Sequence, residues 1–325
     1  MSPQAPVVAR PPDARTPEIG PRAQVVDSIC EATGHTPLVR LEGLDASLPG
    51  VQIWGKLEFA NPGGSVKDRP ALNLLRSARA DGRLRPGMSI IDSTSGNTGI
   101  ALALYGAALG HPVTLVMPEN VSTARKNLLR AYGAQIVFSD PMEGSDGAIR
   151  RVREIVNASP DRYFYTNQYN NPANWQAHLH STGPEILGAL GPSLTHVVAG
   201  VGTSGTIMGT GRAVKASRPD VQIVGVEPDD AFHGLEGLKH LESSIVPGIY
   251  DGRVLDRTIF LPTEEGWDVT ERLATEEGLL VGHSGGAVVA AALRIGREQV
   301  EAGAPAVIVG VLPDHAARYV EPTSR

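Results

Sequence analysis

The amino-acid sequence predicts an α/β protein arranged as two open lobes. Short apolar runs alternate with longer helix-compatible stretches, the alternation occurs twice along the chain, and a polar stretch at 167–174 divides the two series. Strands that alternate with helices favour largely parallel sheets covered by helices, because each crossover must carry the chain back to the same end of the sheet. The 325 residues, 41% of them hydrophobic, can bury a substantial core as one large or two modest domains. Two lobes fit the double series better than one closed barrel.

Residues 1–24 carry repeated prolines, which remove backbone donors and restrict the chain, so this stretch reads as an extended tail. In the first series, 51–54, 89–92, 113–117 and 135–138 read as strands, with helices expected over 69–80, 99–108, 123–132 and 147–158. Gly110 and Gly133 follow apolar helical runs and precede the next strand, the position of a C-terminal cap. In the second series, strands are expected at 195–199, 222–226 and 306–311 and helices at 268–277 and 286–294. There is no short-period repeat or sustained heptad, which argues against a solenoid or coiled coil.

With 29 basic against 35 acidic residues, the chain makes no general electrostatic case for nucleic acid. Its one cysteine excludes an intramolecular disulfide and a cysteine-rich metal cluster, and fits a reducing cytoplasm. No continuous apolar segment serves as a secretory core or a membrane span, so neither secretion nor insertion is expected. No metal site is expected either.

Chemistry concentrates in loops between an apolar run and a helix. Lys67 stands in Gly63-Gly64-Ser65-Val66-Lys67-Asp68-Arg69. An amine must be neutral to attack an aldehyde, and a desolvated lysine can be. In Asp92-Ser93-Thr94-Ser95-Gly96-Asn97-Thr98-Gly99, hydroxyls, backbone donors and a helix N-terminus suit a carboxylate, while Asn97 can hydrogen-bond an aromatic oxygen. In Gly202-Thr203-Ser204-Gly205-Thr206, small residues let backbone N–H groups face a phosphate. No Walker A pattern accompanies these glycines, and a nicotinamide reading is not favoured. Taken singly each loop is also an ordinary turn; together they equip a pyridoxal phosphate enzyme.

Three further stretches add to this reading. Gly282-His283-Ser284-Gly285-Gly286 matches G-x-S-x-G, which invites a hydrolase with His178, His180, His196, His283 or His315 as base. It lacks an ordered serine, acid and histidine context, and a contact from Ser284 to the cofactor ring nitrogen is preferred. Gln168, in the amide-rich run 168–174, can hold an amino-acid carboxylate, and Lys239, in Gly234-Leu235-Glu236-Gly237-Leu238-Lys239-His240, is available to an anionic side chain or is simply a solvated turn residue.

These loops, together with Thr36-Pro37-Leu38-Val39 and Asn61-Pro62 ahead of the lysine loop, resemble the cysteine synthase/cystathionine β-synthase family of fold-type II pyridoxal phosphate enzymes, and the resemblance runs from Ile29 to Tyr319. It implies that Lys67 bonds the cofactor aldehyde and moves the α-proton, and that Asn97 contacts the phenolic oxygen. It also implies that Gly202, Thr203, Ser204, Gly205 and Thr206 cradle the phosphate, that Ser284 meets the pyridine nitrogen, and that Thr94, Ser95, Thr98 and Gln168 take the substrate carboxylate. Ser204 departs from the glycine common at that place and gives up backbone freedom. The resemblance further implies a larger cofactor lobe of 25–59 plus 169–325, a smaller mobile lobe of 60–168, and a homodimer.

The implied reaction is β-replacement on an O-activated L-serine, O-acetylserine ahead of O-phosphoserine, with sulfide, thiosulfate or a protein-bound donor supplying sulfur to give cysteine. Glu58-Phe59, Gly63-Gly64 and Leu312-Pro313-Asp314 have a cystathionine β-synthase flavour, whereas 168–174 and the short chain, with no room for a regulatory tandem domain, look more like cysteine synthase. Homocysteine as acceptor, a catalytically inactive interaction protein, and serine acetyltransferase as a partner of an active synthase are the alternatives to weigh.

Overall fold

The computed structural model describes residues 25–319; the tail expected at 1–24 lies outside the described residues, as do 320–325. In chain order the first elements are β1 (Leu38–Arg40), α1 (Glu42–Asp45), β2 (Val51–Leu57), α2 (Asp68–Ala80), β3 (Ser89–Ser93), α3 (Asn97–Leu109), β4 (Val113–Pro118), α4 (Thr123–Ala131), β5 (Gln135–Ser139), α5 (Gly144–Ala158) and β6 (Tyr163–Tyr165). There follow α6 (Ala173–His180), α7 (Thr182–Leu190), β7 (His196–Gly200), α8 (Gly205–Ser217), β8 (Gln222–Pro228), β9 (Arg257–Leu261), α9 (Thr263–Glu276), α10 (His283–Glu301) and β10 (Ala306–Leu312).

The strands form two sheets. One has the order β1-β2-β10-β7-β8-β9 and the other β5-β4-β3-β6. Every pairing is parallel except β1 with β2. In the larger sheet, side chains of one strand alternate between two cores. Val198 packs with Ile53, Leu273 and Leu293 under α9 and α10, while Val197 and Ala199 pack with Ile207, Val214 and Val309 under α8. Burial on both faces explains why these strands read as continuous apolar runs. The smaller sheet has its own core, in which Ile90 and Leu115 meet Leu75, Leu102 and Tyr105. Helix α3 is buried over most of its length, from Thr98 to Gly106, so it is apolar all round rather than striped.

The expected strands and helices in both series are present, with ends shifted by a few residues. Gly110 and Gly133 adopt positive φ (+76° and +81°) where they turn the chain into β4 and β5. β1, β6, β9, α6, α7 and α8 go beyond the sequence reading. β6 is three residues long, and β9 is an edge strand exposing Arg257 and Phe260, so neither shows a clear apolar run. α8 contains Gly205, Gly209 and Gly211, which disfavour helix locally. Its packing overrides that propensity: a Cβ at Gly209 would overlap the Trp175 carbonyl on α6, and one at Gly211 would crowd Ile223 on β8. No helix among the described residues is long and apolar enough to cross a membrane.

Candidate active site

The loops before α2, α3 and α8 leave carboxyl ends of parallel strands, where open α/β sheets place their ligands, while the Ser284 loop joins them from the turn between α9 and α10. The chain from β2 runs to Lys67 immediately before α2, β3 leads into Thr94-Ser95-Gly96 before α3, β7 into residues 201–204 before α8, and β10 into Pro313 and Asp314. The lysine loop is stitched to the exit of β10, since Val66 N–H donates to the Pro313 carbonyl at 2.7 Å and Ser65 bridges Asp314. Burial pushes the Lys67 ammonium down from its ordinary value, and the Asp314 carboxylate opposes that shift. The amine is therefore more readily neutral than a solvated lysine.

Lys67, Asn97, Gly202, Thr203, Ser204, Thr206 and Ser284 line one small cavity of about 70 Å³ together with Asp314 and Tyr319. It adjoins a cleft of about 840 Å³ lined by Thr94, Ser95, Thr98, Gln168 and Lys239, with Lys67, Asn97, Gly202 and Thr203 common to both. The residues singled out in the sequence thus come together, and Gly205, which opens α8, sits directly behind them.

The loop before α8 fits a phosphate. Ser204 is a non-glycine residue at φ +69°, a conformation costing about 1–2 kcal/mol. Its hydroxyl is buried without a hydrogen-bond partner, at the N-terminus of a 13-residue helix. An orphaned donor beside unpaired helix N–H groups is a ready anion site. Thr203 Oγ1 accepts from Asn174 Nδ2 at 3.4 Å, and Thr206 Oγ1 lies 3.4 Å from His178 Nε2. There is no room for side chains at the glycines: a Cβ at Gly202 would overlap the Gly237 carbonyl, and one at Gly205 would overlap Asn174 Oδ1. Gly205→Val is accordingly expected to weaken retention of the phosphate ligand at least about tenfold through displacement of this loop, read by equilibrium dialysis.

The loop before α3 is held from behind. Asp92 accepts from Ser93 N–H at 2.7 Å and from the Thr166 hydroxyl, and burial pushes its carboxyl up to about 6. Thr98 Oγ1 donates to Gln168 Oε1 at 2.9 Å, and Asn174 Nδ2 donates to the Gln168 carbonyl at 2.7 Å. The oxygen of the Gln168 amide is thereby engaged, leaving its NH₂ as a donor. Gly96, the residue before α3, supplies no side-chain cap, so the first N–H groups of that helix remain available to an anion. Lys239 stands with its Nζ 5.3 Å from the Tyr169 ring centroid, and burial lowers its pKa.

Several residues of the site were not singled out as such in the sequence. Asp314 is 1% exposed and accepts from Asn97 Nδ2 at 2.6 Å and from the Tyr319 hydroxyl. Arg125 on α4 pairs with Glu236 at 2.7 Å across the cleft mouth, and its guanidinium lies 5.8 Å from the Tyr319 ring centroid. Being partly exposed, this pair contributes about 0.2–1 kcal/mol. Behind Lys67, Arg69 binds Glu58 and Glu185, both at 2.7 Å, and Lys56 reaches Glu185 at 2.6 Å. None of the histidines considered for a hydrolase is hydrogen-bonded to Ser284 among the described residues. His178 lies 2.8 Å from the Thr182 hydroxyl, His196 lies 2.8 Å from that of Thr195, His283 stacks with Tyr319, His315 meets Phe59 edge-on, and His180 is exposed.

The buried Lys67 amine and the orphaned Ser204 hydroxyl at the start of α8 open on one cavity between the loops of parallel strands, an arrangement that fits a fold-type II pyridoxal phosphate enzyme. The chain belongs to the pyridoxal-phosphate dependent enzyme family, whose model matches residues 29–314. Within it the sequence is 51% identical to a cysteine synthase of Aquifex aeolicus over 302 residues, covering 92% of each chain. It is 41% identical to cysteine synthase B of Pseudomonas aeruginosa, covering 90% of this chain and 95% of the relative. The crystal structure of cysteine synthase from Entamoeba histolytica superposes with a TM-score of 0.87 at 34% identity, over 94% of both chains.

Proposed function

We propose that this protein is a cysteine synthase that converts O-acetyl-L-serine and sulfide to L-cysteine and acetate. The observation that carries the proposal is the juxtaposition of the buried Lys67 amine with the carboxylate loop and the α8 loop around one cleft. Cysteine synthases of similar sequence support the same reading.

Pyridoxal phosphate, when bound, supplies an aldehyde and an electron sink that stabilises charge at the substrate α-carbon. Thr203, Ser204, Thr206 and the N–H groups opening α8 would hold its phosphate, Ser284 would face its ring nitrogen, and Asn97 its phenolic oxygen. Thr94, Ser95, the Thr98 backbone N–H and the Gln168 NH₂ would bind the substrate carboxylate at the N-terminus of α3. With anions held at the N-termini of α3 and α8, the substrate would be oriented beside Lys67, which lines the cavity and cleft common to both loops. Lys67 Nζ then takes the α-proton as acetate leaves the β-carbon, and returns it after sulfide has bonded there. The reading includes closure of the 60–168 unit over the cleft, a cytoplasmic homodimer, and serine acetyltransferase as a partner protein.

An absorbance scan of the bound cofactor tests this. A change on adding O-acetylserine that sulfide reverses, with release of cysteine, is the expected result; reversal by homocysteine alone would mean a cystathionine β-synthase, and no change an inactive relative. Lys239→Ala tests the leaving group. If Lys239 meets an anionic leaving group, the variant loses about tenfold in kcat/KM for O-phosphoserine and less than twofold for O-acetylserine; equal losses reject that role.

A further inference from the structure

We propose that Asp314 is a positioning residue that fixes the orientation of the Asn97 side-chain amide at the cavity wall. The inference rests on the assignment of Asn97 to the phenolic oxygen of the cofactor. Asn97 is the first residue of α3, while Asp314 follows β10 in the other sheet, and the two meet through Asn97 Nδ2 and Asp314 Oδ2 at 2.6 Å. The Tyr319 hydroxyl donates to the same oxygen. Oδ2 accepts from both groups, so the Asn97 atom facing it is the NH₂ group rather than the carbonyl. The NH₂ has two hydrogens. One is spent on Asp314, and the amide lies beside the Tyr319 hydroxyl on the wall shared by the cavity and the cleft.

Without that acceptor the amide is free to rotate by half a turn, which would present its carbonyl to the aromatic oxygen and replace attraction by repulsion. The carboxylate is itself immobile. Gly282 N–H donates to the Asp314 carbonyl at 3.1 Å, Ser65 bridges its backbone, and a Cβ at Gly282 would overlap Oδ1. Oδ1 is buried and has no hydrogen-bond partner, so the hydrogen bonds of the side chain all fall on Oδ2. Burial pushes this carboxyl up, while Tyr319, Asn97, Arg318 and Lys67 oppose the shift.

The test is a double-mutant cycle on the holoenzyme, with Asn97→Ala, Asp314→Ala and the pair, reading the dissociation constant of pyridoxal phosphate and the absorbance maximum of the bound cofactor. Asn97→Ala is expected to weaken binding and move the band. Asp314→Ala is expected to weaken binding about tenfold and move the band in the same direction when Asn97 is present, and to change either by less than about twofold when it is absent. Equal losses in both backgrounds would show that Asp314 acts independently and would overturn the proposal. Unchanged binding and spectrum in Asn97→Ala alone would overturn both the proposal and the assignment beneath it. Should the truncation at 314 fail to fold, Asp314→Asn keeps the shape but no longer dictates which end of its neighbour it faces. It must then show the same dependence on Asn97, and its absence would equally overturn the proposal.

Discussion

Lys67→Ala is expected to abolish cysteine formation, with kcat for O-acetylserine and sulfide falling by at least about a thousandfold while the fold survives. The magnitude follows from the role: a positioned acid–base group contributes about 10²–10⁴-fold, and Lys67 serves both proton transfers. The fold survives because the residue's loop is held by backbone contacts, Val66 to Pro313 and Ser65 to Asp314, which the substitution leaves intact. Lys67→Arg is expected to be equally inactive, since a guanidinium does not give up its proton in a protein. Steady-state assays together with thermal unfolding check both variants. Turnover within tenfold of the wild type in either would remove Lys67 from the chemistry.

Arg69→Ala is expected to destabilise the protein by about 3–5 kcal/mol, because it strands buried charge. Glu58 is 0% exposed and loses both of its charge-assisted hydrogen bonds to Arg69, at 2.7 and 2.9 Å, retaining the Thr36 hydroxyl at 2.7 Å and Asn61 Nδ2 at 3.0 Å. Glu185 loses two more and keeps Lys56. The pH dependence has a definite sign. Although burial opposes it, Arg69 and Lys56 hold the Glu185 carboxyl down at about 2 against an ordinary 4.5. A depressed folded-state pKa stabilises the protein above the unfolded value, and that stability is lost as pH falls from about 4.5 through about 2. Urea unfolding at pH 7 and pH 3 should therefore show the variant's deficit shrinking at the lower pH. A deficit below about 1 kcal/mol at pH 7 would mean that the network is solvated or rearranges. Because Arg69 lies in the first turn of α2, just past Lys67, the same variant is expected to lose activity before it unfolds.

The loops were legible because their signal is local: glycine, serine, threonine and asparagine placed between a buried strand and a helix, as at Thr94–Thr98 and Gly202–Thr206, read the same in one dimension as in three. The two strand–helix series were legible for the same reason, since burial of both sheet faces writes continuous apolar runs into the chain. α8 was not, because its glycines oppose helix formation and only the close approach of α6 and β8 explains them. β6 and β9 are too short or too polar at an edge to announce themselves. Ser204 had cast the shape of its loop into doubt; in the fold it takes the left-handed conformation that glycine would adopt, held between β7 and α8.

By itself, the sequence determined the α/β class, the pyridoxal phosphate family and the glycine- and hydroxyl-rich loops that the fold gathers around Lys67, all properties of contiguous residues. Only the tertiary structure decided that Lys56, Glu58, Arg69 and Glu185 form one buried network, that Arg125 meets Glu236 across the cleft mouth, and that Asp314 faces Asn97. A charged side chain far along the chain carries no mark of its partner. Whether it is a solvated surface group or a buried determinant of the site depends on which strands the fold sets side by side, and on the water that this arrangement excludes.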